Sequence, residues 1–399
     1  VKRARWLAAA LGAVPALALA QSPPNLLSQR LYVDPGALLG SPRMVALGGA
    51  YVAVAEGADG MSANLAAITQ HAPGLDRPWD VDATVSWLNI GAAHAQQLDY
   101  DNAGSANGAE SSAQLAAAAL VQFVHFGLGT SFRYSRDVYC TTDCSSASAL
   151  EVQWVKATVA ASMALHHDDL LVALGYFGIN AGFSYQGQTW QYSGSGVEVD
   201  ALYRPEGMPY RLGLSIKPQV LAPYQPAAGQ PDAIAGRTLY SAAVAPSILS
   251  LGIAYREGEG AERFNRLAPL AHRAEGADSP EGPAGTLLLT GQLDLIQSAE
   301  SAVPLRAMIN QAPTPVAVSG ALEPRIGLEH ETLPGRLRLR AGAYLEPSAY
   351  ASVSPRIHGT GGLEVRLFHA LQDWSLSASF DVARLYYNFG LSLGVFRLP

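Results

Sequence analysis

Charge and cysteine are both scarce in this chain. Of its 399 residues, 15% are charged and 49% hydrophobic, and only two are Cys; soluble domains usually carry about 25% charged residues. So little charge points to a membrane protein. Yet beyond the extreme N-terminus no run of about 18 apolar residues free of charge occurs, which excludes a helical membrane protein. A formal net charge of −7 with no long Lys/Arg run argues against nucleic acid as a partner. The hydrophobicity must therefore be distributed by alternation.

The first twenty residues read as a secretory signal, residues 1–20. Lys2, Arg3 and Arg5 form a basic start, Trp6 to Leu19 an apolar stretch, and Ala18-Leu19-Ala20 a cleavage site before Gln21. In the oxidising compartment this implies, Cys140 and Cys144, close together in a polar run, are expected to form a local disulfide. No second pair of ligands for zinc accompanies them, so no metal is expected.

Period-two patterning runs through the rest of the chain. Trp374, Leu376, Ala378 and Phe380 alternate with Ser375, Ser377, Ser379 and Asp381; Leu337, Leu339 and Ala341 alternate with Arg336, Arg338 and Arg340. Similar segments recur near 80–97, 113–123, 126–139, 149–165, 169–187, 195–204, 209–219, 247–256, 284–297, 321–331, 360–369 and 385–396. With the two above, that makes about fourteen strands, an even count that returns the chain to its starting side; twelve or sixteen are alternatives. A soluble β-sandwich also alternates. Here, however, tight turns alternate with long polar loops, at about 98–112, 137–149, 220–240, 298–320 and 348–359. The pattern predicts an all-β fold, a transmembrane antiparallel β-barrel of about 14 strands over residues 79–399.

Residues 21–78 do not alternate. Gly48-Gly49, the small Ala50, Ala53, Ala55 and Ala58, and an amide at Asn64 suit a plug inside a barrel too wide for its own side chains to fill. Gly48 to Ala55 followed by Asn64-Leu65-Ala66 resembles the hatch signature of the FadL-type outer-membrane transporters, roughly Gly-Gly-Ala-x-x-Ala-x-Ala, a short spacer, then Asn-Pro-Ala. Pro246 to Arg256, Arg325 to Glu329 and Leu339 to Ser348 resemble later strands of that family. The resemblance implies a monomeric, fourteen-stranded barrel in outer-membrane lipid, with an N-terminal hatch plugging the lumen. Such a barrel passes hydrophobic compounds such as long-chain fatty acids or aromatic hydrocarbons. Leu65 stands where the pattern has Pro, and Gly57 where it has an acid.

No nucleophile or metal constellation stands out, so no enzyme and no cofactor is expected; His166-His167-Asp168-Asp169 reads as a solvated turn. Arg325, Arg336, Arg338, Arg340, Arg366, Glu323, Glu329, Glu364 and Asp381 are expected to face the lumen and pair across strands, holding the hatch; a substrate-carboxylate site is the alternative. Ligand capture is expected at Leu221, Tyr224 and Tyr240 in one long loop and at Leu305 and Met308 in another. Release would follow as the hatch shifts around Gly48-Gly49. The connection at 257–283 should by strand parity be a short periplasmic turn, but it is long and charged. It is expected to be an insertion that meets a periplasmic partner. The rival functions are a FadL-like barrel that anchors surface or secretion partners without transporting, and a general porin.

Overall fold

Alternation becomes a wall because a chain with one apolar and one polar edge can satisfy lipid outside and water or protein inside only by closing on itself. The computed structural model describes residues 27–33, 37–70, 79–90, 99–104, 111–139, 149–166, 168–225, 233–234, 237–258, 261–265, 286–299, 302–305, 320–333, 336–350, 352–370 and 372–395. The signal at 1–20, Cys140, Cys144 and Met308 lie outside them.

In chain order the strands are β1 (Leu27–Tyr32), β2 (Trp79–Ile90), β3 (Ser111–Phe123), β4 (Phe126–Tyr139), β5 (Leu150–Leu165), β6 (Leu170–Tyr185), β7 (Gln188–Tyr203), β8 (Tyr210–Lys217), β9 (Val220–Pro223), β10 (Ala233–Ile234), β11 (Arg237–Thr238), β12 (Tyr240–Ala245), β13 (Ile248–Glu257), β14 (Leu287–Ile296), β15 (Ala302–Val303), β16 (Ala321–Leu333), β17 (Leu337–Glu346), β18 (Arg356–Ala370), β19 (Gln372–Ala383) and β20 (Tyr386–Val395). Fourteen of them, β2–β8, β13, β14 and β16–β20, close into one barrel, with β2 paired to β20. Every barrel pairing is antiparallel.

Along β19 the predicted alternation is literal. Ser375, Ser377, Ser379 and Asp381 are buried on the inner face, while Leu376, Phe380 and Val382 are exposed on the outer. Val85, Leu128, Val159, Leu174, Ile253, Ile326 and Leu391 continue the apolar outer belt around the wall. That belt is a lipid-facing surface.

The wall is uneven. Strands β5, β6 and β7 have 16 residues each, whereas β8 has 8 and β13 has 10. β7 begins at Gln188, earlier than the expected 195, because Gln186 and Gly187 make a two-residue turn with positive φ at both positions (51° and 76°). Only Val199 to Tyr203 of β7 pair with β8. After Lys217 the chain bends inward, and β9 passes over the inner face of β7 where Gly194 and Gly196 leave room.

That inward bend builds a cap. β9, β12, β1 and β15 form a separate sheet in the order β15-β1-β12-β9, with β1 parallel to both β12 and β15. β1 was not expected from the sequence: the polar Ser28-Gln29-Arg30 is followed by the buried Leu31-Tyr32, with no alternation. Residues 37–70 then enter the lumen, with helix α1 (Pro42–Ala46), helix α2 (Gly57–Gly60) and a 3-10 turn (Leu65–Thr69).

Candidate functional site

The inner segment 37–70 is held by wall residues chosen for closeness and by a chain of ions. Gly213 and Gly342 face it from the wall, and a Cβ on either would overlap its backbone, at Val52 and at Leu47-Gly48 respectively. Gly48 and Gly49 have φ of 61° and 74°, a region side chains rarely adopt. Gly48 is wedged against the backbone of Ile326 and Ala343. The Ala50 carbonyl accepts from Thr290, and the amides of Tyr51 and Val52 both donate to the Gln292 side chain, at 3.0 and 2.9 Å.

Asn64 is fully buried and uses both ends of its amide. Its oxygen caps the 3-10 turn by accepting from the Ala66 N–H (2.9 Å), and its nitrogen donates to the carbonyls of Val52 (2.9 Å) and the wall residue Ala201 (3.0 Å). The two departures from the hatch pattern now have physical reasons. The Leu65 N–H donates to wall Asp200 (2.7 Å), a bond proline lacks the hydrogen to make. Gly57 has φ of 60° and no space for a Cβ, because Asp82 fills it and accepts from the Ala58 N–H (2.8 Å). Two wall carboxylates thus receive the first amides of two short helical turns of the inner segment.

The ionic chain starts at Arg43, which proline and serine place in the first turn of α1. Its guanidinium meets Glu56 of the same segment (2.9 Å) and Glu329 of β16 (3.2 Å). Glu329 also accepts from Arg340 (2.6 Å), and Arg340 in turn donates to Glu364. Arg338 stands 3.7 Å from Glu331 and 3.8 Å from Glu364. Arg325 binds Asp294 (2.8 Å) and Glu323 (3.0 Å). Glu56 further accepts from Arg211 of β8 (2.7 Å) and from Gln70 (3.1 Å). Burial alone would raise the Glu56 carboxyl; Arg43 and Arg211 overcome it and bring it down to about 2.

Among the residues expected in this network, Arg325, Arg338, Arg340, Glu323, Glu329 and Glu364 are therefore brought together. Arg336 is not: it lies in the turn before β17, past the wall, and its side chain is exposed. Arg366 is half-buried, with two guanidinium nitrogens that meet no acceptor among the described residues. Asp381 belongs to a separate node, where His358 is flanked by Asp381 (2.8 Å) and Glu346 (2.6 Å), and Tyr344 joins Asp381 to the Leu38 N–H. Arg43, Glu56 and Arg211 escaped the sequence reading. Their signal was that Arg43 and Glu56 are rare charges in a stretch of small apolar residues.

Above the inner segment the chemistry changes. Tyr224, Tyr240 and Leu305 are buried in the cap, whereas Leu221 of the same loop is 45% exposed. Phe183 stacks on Trp190 with centroids 5.4 Å apart and meets Tyr192 edge-on at 5.3 Å; the Tyr192 hydroxyl donates to the Tyr240 carbonyl. Between cap and inner segment lies a cavity of about 270 Å³. Its apolar wall includes Trp154, Phe177, Val220, Ala245, Ile248 and Leu305; Ser62 and Ala63 of the inner segment border it below. A smaller cavity of about 70 Å³ continues past Ala58, Met61 and Ser62 along the inner faces of β2–β5. Arg133 and Lys156 stand on both cavities. Lys156 is 3.7 Å from Glu198 and lies over the Phe177 ring at 4.2 Å. Arg133 makes no hydrogen bond or ion pair with a described residue.

A closed fourteen-stranded transmembrane barrel, with an N-terminal segment seated in its lumen under a capped cavity, defines the class. Among solved structures the chain is similar to a Pseudomonas aeruginosa FadL homologue, with a TM-score of 0.55 and 11% identity, over 91% of this chain and 99% of that one. It is also similar to the Pseudomonas putida toluene transporter TodX, with a TM-score of 0.53 and 11% identity, over 91% and 98%. At such identity the shared property is the fold. No family model matches the sequence, and no curated protein matches it.

Proposed function

We propose that the chain is a FadL-type passive transporter of the Gram-negative outer membrane, a monomer in outer-membrane lipid that takes up hydrophobic compounds. The observation that carries this reading is the capped apolar cavity resting on the inner segment. A general porin needs an open polar lumen, whereas a hydrophobic solute needs an apolar seat and a movable floor. The inner segment is that floor, a hatch. Gly48-Gly49, wedged between β16 and β17, is its pivot. Residues 57–63, which border both cavities, are the part that swings.

Arg133 sharpens the ligand class. Arg133 has no hydrogen bond or ion pair among the described residues, although Asp137 lines the same cavity, so a ligand anion would give it a direct partner. It favours long-chain fatty acids over aromatic hydrocarbons, the tail lying against Trp154 and Phe177. Uptake of labelled oleate and of a neutral aromatic hydrocarbon into cells expressing the protein tests both levels. Arg133→Gln is expected to lower oleate uptake on the order of tenfold, the loss of a charge-assisted hydrogen bond, and to leave hydrocarbon uptake unchanged. Equal uptake by cells with and without the protein would defeat the transport reading.

A further inference from the structure

The connection after β13 was expected to be an insertion reaching toward a periplasmic partner. Beyond Gly258 its described part, residues 261–265, turns inward; residues 266–283 lie outside the described residues. Residues 261–265 make a 3-10 turn that folds back into the mouth of the barrel, where Phe264 and Asn265 are 5% and 3% exposed. The Asn265 amide nitrogen lies within donating distance of three carbonyls, those of Pro205 (3.1 Å), Met208 (2.9 Å) and Tyr210 (2.7 Å), all on the β7–β8 turn and the start of β8. Its oxygen accepts from Arg211 Nε (2.8 Å).

Arg211 is the link inward. One terminal nitrogen donates to the Phe264 carbonyl (2.7 Å) and the other to Glu56 of the inner segment (2.7 Å). The Phe264 ring lies beneath two guanidiniums, Arg211 at 3.8 Å and Arg256 at 4.4 Å. It joins the same buried cluster as Met44, Val45, Leu47 and Tyr51 of the inner segment. A turn that only had to connect two strands would need none of these contacts. Glu56 immediately precedes Gly57, where the stretch proposed to swing begins.

We propose that residues 261–265 are a bolt on the hatch, closing the barrel from the periplasmic side. Through Arg211 they hold Glu56, and with it the start of the 57–63 stretch. The hatch opens when Phe264 and Asn265 withdraw, because Arg211 then loses the two acceptors that orient it toward Glu56. The bolt rests on the reading of residues 37–70 as a movable plug, and does not depend on what the ligand is.

Two variants test it. Asn265→Ala removes the anchoring amide, and Phe264→Leu keeps apolar volume but removes the ring under the guanidiniums. In planar bilayers, either variant of the full-length protein is expected to raise the frequency of open conductance steps on the order of tenfold, since a buried hydrogen bond and a desolvated cation–π contact are each worth about that factor. Amide exchange at residues 57–63 is expected to speed up by a similar factor, while oleate binding to the detergent-purified barrel stays at the wild-type level, because the closed state, in which Ser62 and Ala63 still floor the cavity, remains the dominant one. Wild-type conductance and exchange in both heat-modifiable, folded variants would overturn the bolt. So would a loss of oleate binding in step with the conductance change, which marks general loosening. If neither wild type nor variant binds oleate, the ligand reading fails while conductance and exchange still decide the bolt.

Discussion

The two ends of the lumen are closed by opposite chemistries. Toward the long loops the closure is aromatic and leaves a cavity; toward the short turns it is ionic and backbone-bonded, with Arg43, Glu56, Arg211, Glu329 and Arg340 in one chain. Apolar burial is non-directional, so an apolar guest can replace one hydrophobic contact by another at little cost. A buried ion pair is directional, and separating it strands a charge. On the function proposed above, one end would admit a hydrophobic guest and the other would hold a floor until several bonds break together.

The sharpest way to break this contrast is to remove the hub of the ionic end. Arg43→Leu leaves Glu56 with Arg211 and Gln70, and Glu329 with Arg340 but without its link to the inner segment. It should cost about 3–5 kcal/mol in seating the inner segment, the loss of charge-assisted hydrogen bonds to two buried carboxylates, read as faster amide exchange over residues 42–63. Asn64→Ala comes next: a cap and two carbonyl bonds are lost, about 1–3 kcal/mol by the same measurement. Leu65→Pro deletes the N–H that Asp200 accepts and part of a buried side chain packed with Ala66 and Ile68; about 1–3 kcal/mol is expected from exchange at residues 64–69.

Acid probes the ionic end without mutation. Glu56 titrates at about 2 in the folded protein, below the ordinary carboxylate value of about 4.3. A depressed carboxyl stabilises fully above its unfolded value and progressively less as pH falls through the folded one. Closed-state conductance should therefore hold from neutral pH down to about 5 and deteriorate between about 4.5 and 2. The smallest effect belongs to the cap's outer side: Leu221→Ser, on an exposed position, should alter stability by no more than about 0.5 kcal/mol in thermal unfolding.

How far these features were legible depended on their range in sequence. The wall was visible because alternation is local, and β19 shows it residue by residue. The start of β7 was missed because its alternation is inverted there: Trp190 and Tyr192 face inward and are buried, while the outer Thr189 and Gln191 are polar and exposed. The inward arginines and glutamates could be named from parity, yet their partners depend on register across β16, β17 and β18 and on Arg43, some 286 residues from Glu329. The length and charge of the 257–283 connection suggested a periplasmic insertion; within it the structure buries Phe264 and Asn265, whose partners Arg211 and Arg256 lie on β8 and β13.

The cavity as ligand seat is tested most directly by native mass spectrometry of the detergent-purified barrel with oleate, comparing wild type with Ala245→Trp, where the new ring would occupy the cavity from the side of β12. A single saturable oleate adduct on the wild type that the tryptophan variant lacks is the expected result. Equal oleate occupancy in both proteins would contradict it.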